Sequence, residues 1–122
     1  MYNQLSKEIK SIVSHYFQGI YNGDIDKLEK VFHSQALLFG DIKGEPYFKS
    51  VADYMDGVKN RKSPNDLGEE FKMEILSIEI LGTIATVKAH SPMLGFNYYD
   101  TLSLNLVQGE WKIVNKLFTH VE

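Results

Sequence analysis

The chain of 122 residues contains no cysteine, which excludes disulfide bonds, thiolate nucleophiles and thiolate metal sites. It has only three prolines and no internal repeat or low-complexity tract, so nothing in it requires a linker between domains. No stretch is long and apolar enough to cross a bilayer, and the first residues lack a basic segment followed by an apolar one. We therefore expect a single domain over residues 1–122, without membrane contact, in the cytoplasm.

Charge and motif content narrow the possible functions further. The net charge is −3 and the basic residues are scattered, so nucleic acid is not an expected partner. The densest basic stretch, residues 59–62, is short and precedes a loop. Glycine-rich phosphate loops and the Gly-x-Ser-x-Gly element of hydrolases are absent, and no two histidines have metal-ligand spacing. We expect neither a cofactor nor a metal.

The order of the periodic segments predicts an α+β fold. Apolar residues spaced by three and four predict a first helix within residues 5–21. Asp24 is a candidate N-cap for a second helix and Ser50 for a third. Alternation and turn signals predict strands at residues 36–39, 71–81, 84–91, 96–106 and 111–120. Helices followed by a long antiparallel meander are typical of a sheet packed on one side by helices.

The strand around Asp100 has the most informative pattern in the chain. Every second residue from Phe96 to Leu106 is apolar except Asp100, so this face is predicted to point into the core. Burying an unpaired carboxylate is costly, so the group must be paired, protonated or set in a wet cavity. Two interpretations stay open. Asp100 is a general base or ligand anchor, or it is a structural carboxylate bonded to backbone amides or a helix tyrosine.

Tyrosines and one histidine are further candidates for a site around Asp100. Tyr16 lies on the apolar stripe of the first helix, where its hydroxyl can donate to a ligand or to Asp100. The alternative is a core residue with a satisfied hydroxyl, and the same choice applies to Tyr54 and Tyr98. His33 follows the second helix and either caps its end or borders the cavity. Aromatic walls with a few polar tips suit a small hydrophobic or heterocyclic ligand.

Alternation along the last strand assigns its two faces. Trp111 and Asn115 belong to the set that contains no charge, so we place them inward as further lining. The other set includes Val114, Lys116 and Phe118, and its apolar members favour a homodimer built on the outer face of the sheet. A β-bulge would reverse this register and bring Lys116 and Phe118 into the cavity.

Several of these segments resemble a known superfamily. The start, YFxGI at residues 16–20 followed by GD at 23–24, resembles nuclear-transport-factor-2-like domains of the SnoaL-like kind. The ending, YDxLxL at residues 99–104 and GEWKIVNK at 109–116, is similar to the "putative lumazine-binding" subfamily. The resemblance covers nearly the whole chain. It implies a cystatin-like cone, in which a curved antiparallel sheet wraps around three N-terminal helices with a cavity at the wide end, and it implies dimers.

The resemblance leaves three functions open, because enzymes such as ketosteroid isomerase, cyclases and scytalone dehydratase share this fold with proteins that only bind or assemble. A small-molecule-binding protein with an aromatic-lined cavity ranks first, with a pteridine or lumazine-like ligand implied by the family name alone. The alternative is a cofactor-independent isomerase, dehydratase or cyclase, in which Asp100 is the general base and Tyr16 or Tyr54 polarises a carbonyl. A dimeric assembly module ranks third.

Overall fold

A six-stranded sheet packs against three helices in the computed structural model, which describes residues 2–122. The elements in chain order are α1 (Tyr2–Asn22), α2 (Ile25–Val31), β1 (Phe32–Ile42), β2 (Glu45–Ser50), α3 (Val51–Lys59), β3 (Glu74–Leu81), β4 (Ile84–Met93), β5 (Phe96–Val107) and β6 (Glu110–His120). This arrangement confirms the predicted α+β class. Within residues 2–122, no helix has both the length and the apolar character that a membrane span requires.

The strands form one open sheet in the order β2-β1-β6-β5-β4-β3. Strands β3 to β6 make the antiparallel meander that the sequence predicts, whereas β1 runs parallel to β6, so the sheet is mixed. β2 is missing from the sequence-based prediction because Gly44 and Pro46 indicate a turn. The proline is tolerated because β2 lies at the edge of the sheet, where a missing backbone donor costs little.

Local signals in the sequence account for the ends and the buried face of the helices. The side chains of Asp24 and Ser50 each accept a hydrogen bond of 3.2 Å from the backbone amide three residues further on, which confirms both predicted N-caps. The fully buried stripe of α1 includes Ile9, Val13, Tyr16 and Ile20. This stripe confirms the predicted periodicity and places Tyr16 in the core.

A β-bulge in β6 reverses the faces of its second half. Ser103 of β5 pairs with Asn115, whereas the next residue, Leu104, pairs with Ile113, so Val114 is an extra residue in β6. The prediction that Asn115 points inward is therefore wrong. Its side-chain amide lies on the outer face and donates to the Leu37 carbonyl at 3.2 Å.

The same bulge turns two other side chains of β6 into the core. Lys116 is 5% exposed and Phe118 is 8% exposed, so the outward assignment of both is wrong and the bulged alternative is correct. Trp111, which precedes the bulge, is buried as predicted. The inner face of β6 thus changes from Trp111 and Ile113 before the bulge to Lys116 and Phe118 after it.

Beside the bulged strand, β1 approaches β6 very closely at Gly40. Gly40 pairs with Phe118, and a Cβ atom at position 40 would overlap the Phe118 carbonyl oxygen and lie 2.8 Å from its ring carbon Cδ1. Only glycine fits this position without moving the strands apart. The Phe118 ring also contacts the Tyr47 ring edge-on, at 4.9 Å between centroids.

Candidate functional site

Asp100 lies near the middle of β5, paired with Ala89 of β4 and Phe118 of β6, and is 3% exposed. Its Oδ2 atom accepts two hydrogen bonds of 3.0 Å, from the Tyr16 hydroxyl and from Ser91 Oγ. Its Oδ1 atom is buried and has no hydrogen-bond partner within residues 2–122. The carboxylate is therefore satisfied on one oxygen only, and by side chains rather than by backbone amides.

The two donors reach Asp100 from different elements. Tyr16 comes from the buried stripe of α1 and is 84 positions away in sequence, and its ring packs edge-on against Phe32 at 5.9 Å between centroids. Ser91 comes from β4, which continues to Met93 although the sequence-based prediction ends that strand at residue 91. Ser91 is 1% exposed, and its side chain points inward beside Asp100.

Lys116 is the second buried charge of the site. Its Nζ atom lies 4.9 Å from the centroid of the Tyr54 ring, 5.2 Å from that of Phe118 and 5.3 Å from that of Tyr16. It donates to the Tyr54 hydroxyl at 3.4 Å. Among the described residues no carboxylate oxygen comes within 4.0 Å of it. The aromatic faces therefore stabilise the ammonium group in place of a direct ion pair.

Arg61, the only arginine of the chain, is the third charged group. It follows α3, is half-buried, and has Nε and Nη2 atoms that are shielded from solvent and unpartnered by any residue of the described chain. The sequence places it in a basic stretch before a loop, with no periodicity that distinguishes it from Lys62. The loop after Arg61 packs against the end of α1, where the Asn65 amide donates to the Tyr21 carbonyl at 3.0 Å, and no local pattern predicts this path.

These charged side chains line a void of about 60 Å³ on the inner side of the sheet. Its polar lining includes Arg61, Ser91, Asp100, Lys116, Tyr47, Tyr54 and Tyr98. The volume is well below the roughly 300–1,000 Å³ of sites that enclose a whole drug-sized ligand. It has room for a few water molecules, so it accommodates one compact polar group.

The hydroxyls of Tyr16, Tyr47 and Tyr98 keep their protons at neutral pH. Burial raises the pKa of Tyr16 well above its usual value, and the negative charge of Asp100 adds to the effect. Burial also raises the pKa of Tyr47 to about 12 and raises that of Tyr98, although Lys116 and Arg61 oppose the shift at Tyr98. Each of these hydroxyls is therefore a hydrogen-bond donor. In the described part of the chain, no cluster of three metal-ligating side chains occurs.

Replacing Tyr16 by phenylalanine is expected to cost about 1–3 kcal/mol at pH 7, because Asp100 loses a buried donor. The folded-state pKa of Tyr16 is raised, so its contribution to stability is complete below pH 10 and is lost as pH rises through the folded pKa. Urea unfolding from pH 8 to pH 11.5 should therefore show a shallower alkaline loss in Tyr16→Phe, by up to about 1.4 kcal/mol per pH unit. Tyr99→Phe, on the outer face, serves as the control, and equal slopes in wild type and Tyr16→Phe would contradict the assignment.

The structure brings together some of the residues that the sequence nominates and separates others. Tyr16 bonds directly to Asp100, while Tyr54 and Tyr98 line the void. His33 is the second residue of β1, where its Nδ1 accepts from the Gln35 amide at 2.9 Å, and it does not line the void. The C-cap of α2 is its neighbour Phe32, so the helix-capping interpretation of His33 is also wrong.

Two predicted lining residues on β6 lie elsewhere. Trp111 is 4% exposed but sits before the bulge, away from the void, and its Nε1 atom has no partner in residues 2–122. Asn115 is on the opposite face of the sheet. The void instead includes Lys116, as the bulged alternative predicts, and Arg61, which the sequence does not single out.

The outer face of the sheet has an apolar surface of its own. A hollow of about 770 Å³ lies on this side, and the exposed large apolar residues around it include Phe39, Phe48, Leu76 and Leu117. Phe48 is 62% exposed and Leu117 is 52% exposed, and the Phe39 and Phe48 rings stack at 4.7 Å between centroids. The sequence predicted an apolar outer face through Val114 and Phe118. Phe118 is buried on the inner side, so different residues form this surface.

The helices and mixed sheet define the nuclear-transport-factor-2-like class, and solved structures of that description superpose over almost the whole chain. An NTF2-like protein of unknown function from Silicibacter pomeroyi has a TM-score of 0.89 at 22% identity, covering 99% of both chains. An NTF2-like protein of unknown function from Shewanella baltica has a TM-score of 0.87 at 28% identity, covering 100% of this chain and 98% of its own. A third, from Methylobacillus flagellatus, has a TM-score of 0.87 at 22% identity, covering 98% of this chain and 94% of its own.

The family described as "Putative lumazine-binding" matches residues 4–119, and the chain belongs to this family. The resemblance seen in the sequence is therefore confirmed. No curated protein matches the chain. The comparisons thus establish the fold and the family, and the chemistry has to be argued from the residues around Asp100.

Proposed function

We propose that the protein binds a small molecule at the void beside Asp100. The observation that carries the proposal is the unpartnered Oδ1 atom of this buried carboxylate. Buried polar atoms are nearly always hydrogen-bonded, so an orphaned carboxylate oxygen beside a void favours an external donor as its partner. The rings of Tyr47, Tyr54 and Tyr98 supply flat apolar walls around this oxygen.

The size of the void limits what part of a ligand enters it. About 60 Å³ accepts a polar edge or a small substituent and excludes a bicyclic ring. The remainder of a heterocycle has to lie against Tyr47 and Tyr98, which are half-buried and flank the void. The family description makes a pteridine such as lumazine the first candidate, with an N–H group donating to Asp100.

The test is a thermal-shift and calorimetric titration of lumazine against wild type and Asp100→Asn. We expect lumazine to raise the melting temperature of wild type and to bind at least about tenfold more weakly to Asp100→Asn, because a charge-assisted hydrogen bond is lost. Asp56→Asn, on the exposed face of α3, is the matched control and should bind as wild type does. Equal affinities for wild type and Asp100→Asn would refute the proposed role of Asp100.

A catalytic function is the second candidate, and the hydrogen bonding of Asp100 favours it specifically. Within the described residues no backbone amide is bonded to the carboxylate, and Oδ1 is available as a general base. The Tyr16 proton is already engaged with Asp100, so Tyr54 is the better group to polarise a carbonyl. Tyr54 accepts from Lys116 and keeps its own proton for a ligand. Exchange of ketone α-protons with D₂O, followed by NMR, would distinguish catalysis from binding alone.

We also propose a homodimer through the outer face of the sheet. Phe39, Phe48 and Leu117 form an exposed apolar surface there, and a second copy would remove it from water. Sedimentation equilibrium should give a dimer for wild type and a monomer for Leu117→Glu. Leu67→Glu, an exposed apolar residue outside this face, should leave the dimer intact. A monomeric wild type would exclude the dimer and, with it, the third possibility of a dimeric assembly module.

A further inference from the structure

The charges around the inner void do not balance. Arg61 and Lys116 supply two positive charges and Asp100 one negative charge, and none of the three forms an ion pair with another described residue. Asp100 and Lys116 are almost completely buried, so they are poorly compensated by solvent. A ligand with one negative charge would neutralise the void.

The unpartnered atoms of Arg61 have a specific geometry. Nε and Nη2 lie on the same edge of the planar guanidinium group, and both are buried without a hydrogen bond to any residue from 2 to 122. Two parallel N–H groups on one edge match the two oxygens of a carboxylate, which accepts both hydrogen bonds at once. This edge is therefore arranged for a planar anion.

Lys116 complements that edge. Its ammonium has three donors, of which Tyr54 takes one, and the surrounding rings hold the positive charge without neutralising it. Asp100 contributes the acceptor Oδ1, since Tyr16 and Ser91 occupy Oδ2. The void therefore presents donors for an anion and, beside them, one acceptor for a hydroxyl or N–H group.

We propose that this void is a subsite for the carboxylate of a small organic acid, bound by the Nε–Nη2 edge of Arg61 and the ammonium of Lys116. A carboxylate with its first carbon fits a volume of about 60 Å³ and carries the single charge that balances the lining. A phosphate dianion would overcompensate that charge and be repelled by Asp100. The unpartnered atoms have almost no exposed surface, so the half-buried Arg61 side chain has to shift as the acid enters.

This inference deepens the proposed function and rests on it, and acetate is the probe that tests it. Acetate, its neutral analogue acetamide and inorganic phosphate are titrated at constant ionic strength, set with chloride, while NMR follows the Arg61 Nε–H resonance. We expect acetate to shift this resonance and raise the melting temperature, with acetamide and phosphate much less effective. Arg61→Gln and Lys116→Met should each weaken acetate binding at least about tenfold, whereas Lys62→Gln, in the next position, should not.

Asp100→Asn is expected to change acetate affinity in the opposite direction to Arg61→Gln and Lys116→Met. Removal of the negative charge should tighten acetate binding while it weakens lumazine binding. Equal affinity in wild type and Arg61→Gln, a stronger effect of phosphate than of acetate, or weaker acetate binding by Asp100→Asn would each overturn the carboxylate subsite. Lumazine binding that depends on Asp100, together with acetate binding that depends on neither Arg61 nor Lys116, would leave the proposed function intact and refute this inference alone. If Lys116→Met does not fold, Arg61→Gln decides the question.

Discussion

Gly40→Ala is expected to destabilise the protein by about 3 kcal/mol or more, because the clash is with backbone atoms, which cannot move aside as a flexible side chain can. The added Cβ would overlap the Phe118 carbonyl oxygen, so β1 and β6 would have to separate at the centre of the sheet. The Phe118 ring would move with them, and this ring lines the void. Denaturant unfolding should therefore show a large loss of stability, together with a changed aromatic circular dichroism spectrum.

The control for this prediction is Gly57→Ala in α3. A Cβ at position 57 meets only the Lys49 Nζ atom at 4.0 Å, and alanine is the better helix former. Gly57→Ala should therefore be neutral or more stable by up to about 1 kcal/mol. If both alanine variants have the stability of wild type, the close approach of β1 to β6 is not as the structure shows it.

The second large effect is expected from the charge of Asp100. Asp100→Asn keeps the shape and one acceptor for Tyr16 but leaves Arg61 and Lys116 without a negative neighbour. We expect a loss of about 2–3 kcal/mol at neutral pH. Lys116→Met removes one of the two cations, so the double variant Asp100→Asn/Lys116→Met should be more stable than the sum of the single effects, by at least about 1 kcal/mol.

Lys62 provides the matched comparison for this cycle. It is an exposed lysine next to Arg61, and Asp100→Asn/Lys62→Met should be additive within about 0.5 kcal/mol. Additivity in the Lys116 cycle as well would mean that Asp100 and Lys116 have no electrostatic interaction across the void. The inference that the charges lining the void act together would then be wrong, whatever the effect of each single variant.

Much of this architecture can be predicted from the sequence, because the residues that recur with helix or strand periodicity are the ones that the fold buries. The stripe that includes Tyr16 and the alternation around Asp100 each repeat a simple pattern, and both residues lie in the core as expected. The hydrogen bond between them joins positions 84 apart, and it is one of the two interpretations that the Tyr16 position allows. In both cases the pattern along one face of a single helix or strand is enough to predict that the side chain is buried.

The errors arise where tertiary structure overrides a local rule. Nothing such as a glycine or proline marks the bulge at Val114, and a charged lysine is normally assigned to solvent, so the faces of Asn115 and Lys116 were exchanged. Arg61 lines the void although it follows α3, and the loop after it packs against the end of α1, a path that no periodic pattern predicts. Pattern analysis therefore could not find Arg61, whereas it predicted Asp100 from alternation and Lys116 through the bulged alternative.

The extra residue at Val114 has a consequence for how this chain can change. Loss of its single codon would restore regular pairing and leave the faces unchanged, because Asn115 already pairs with Ser103 and would then follow Ile113 directly. Regular pairing that retained Val114 would instead turn Asn115 and Leu117 inward and Lys116 outward. The inserted residue is therefore what places a cation, rather than an amide and an aliphatic chain, in the interior.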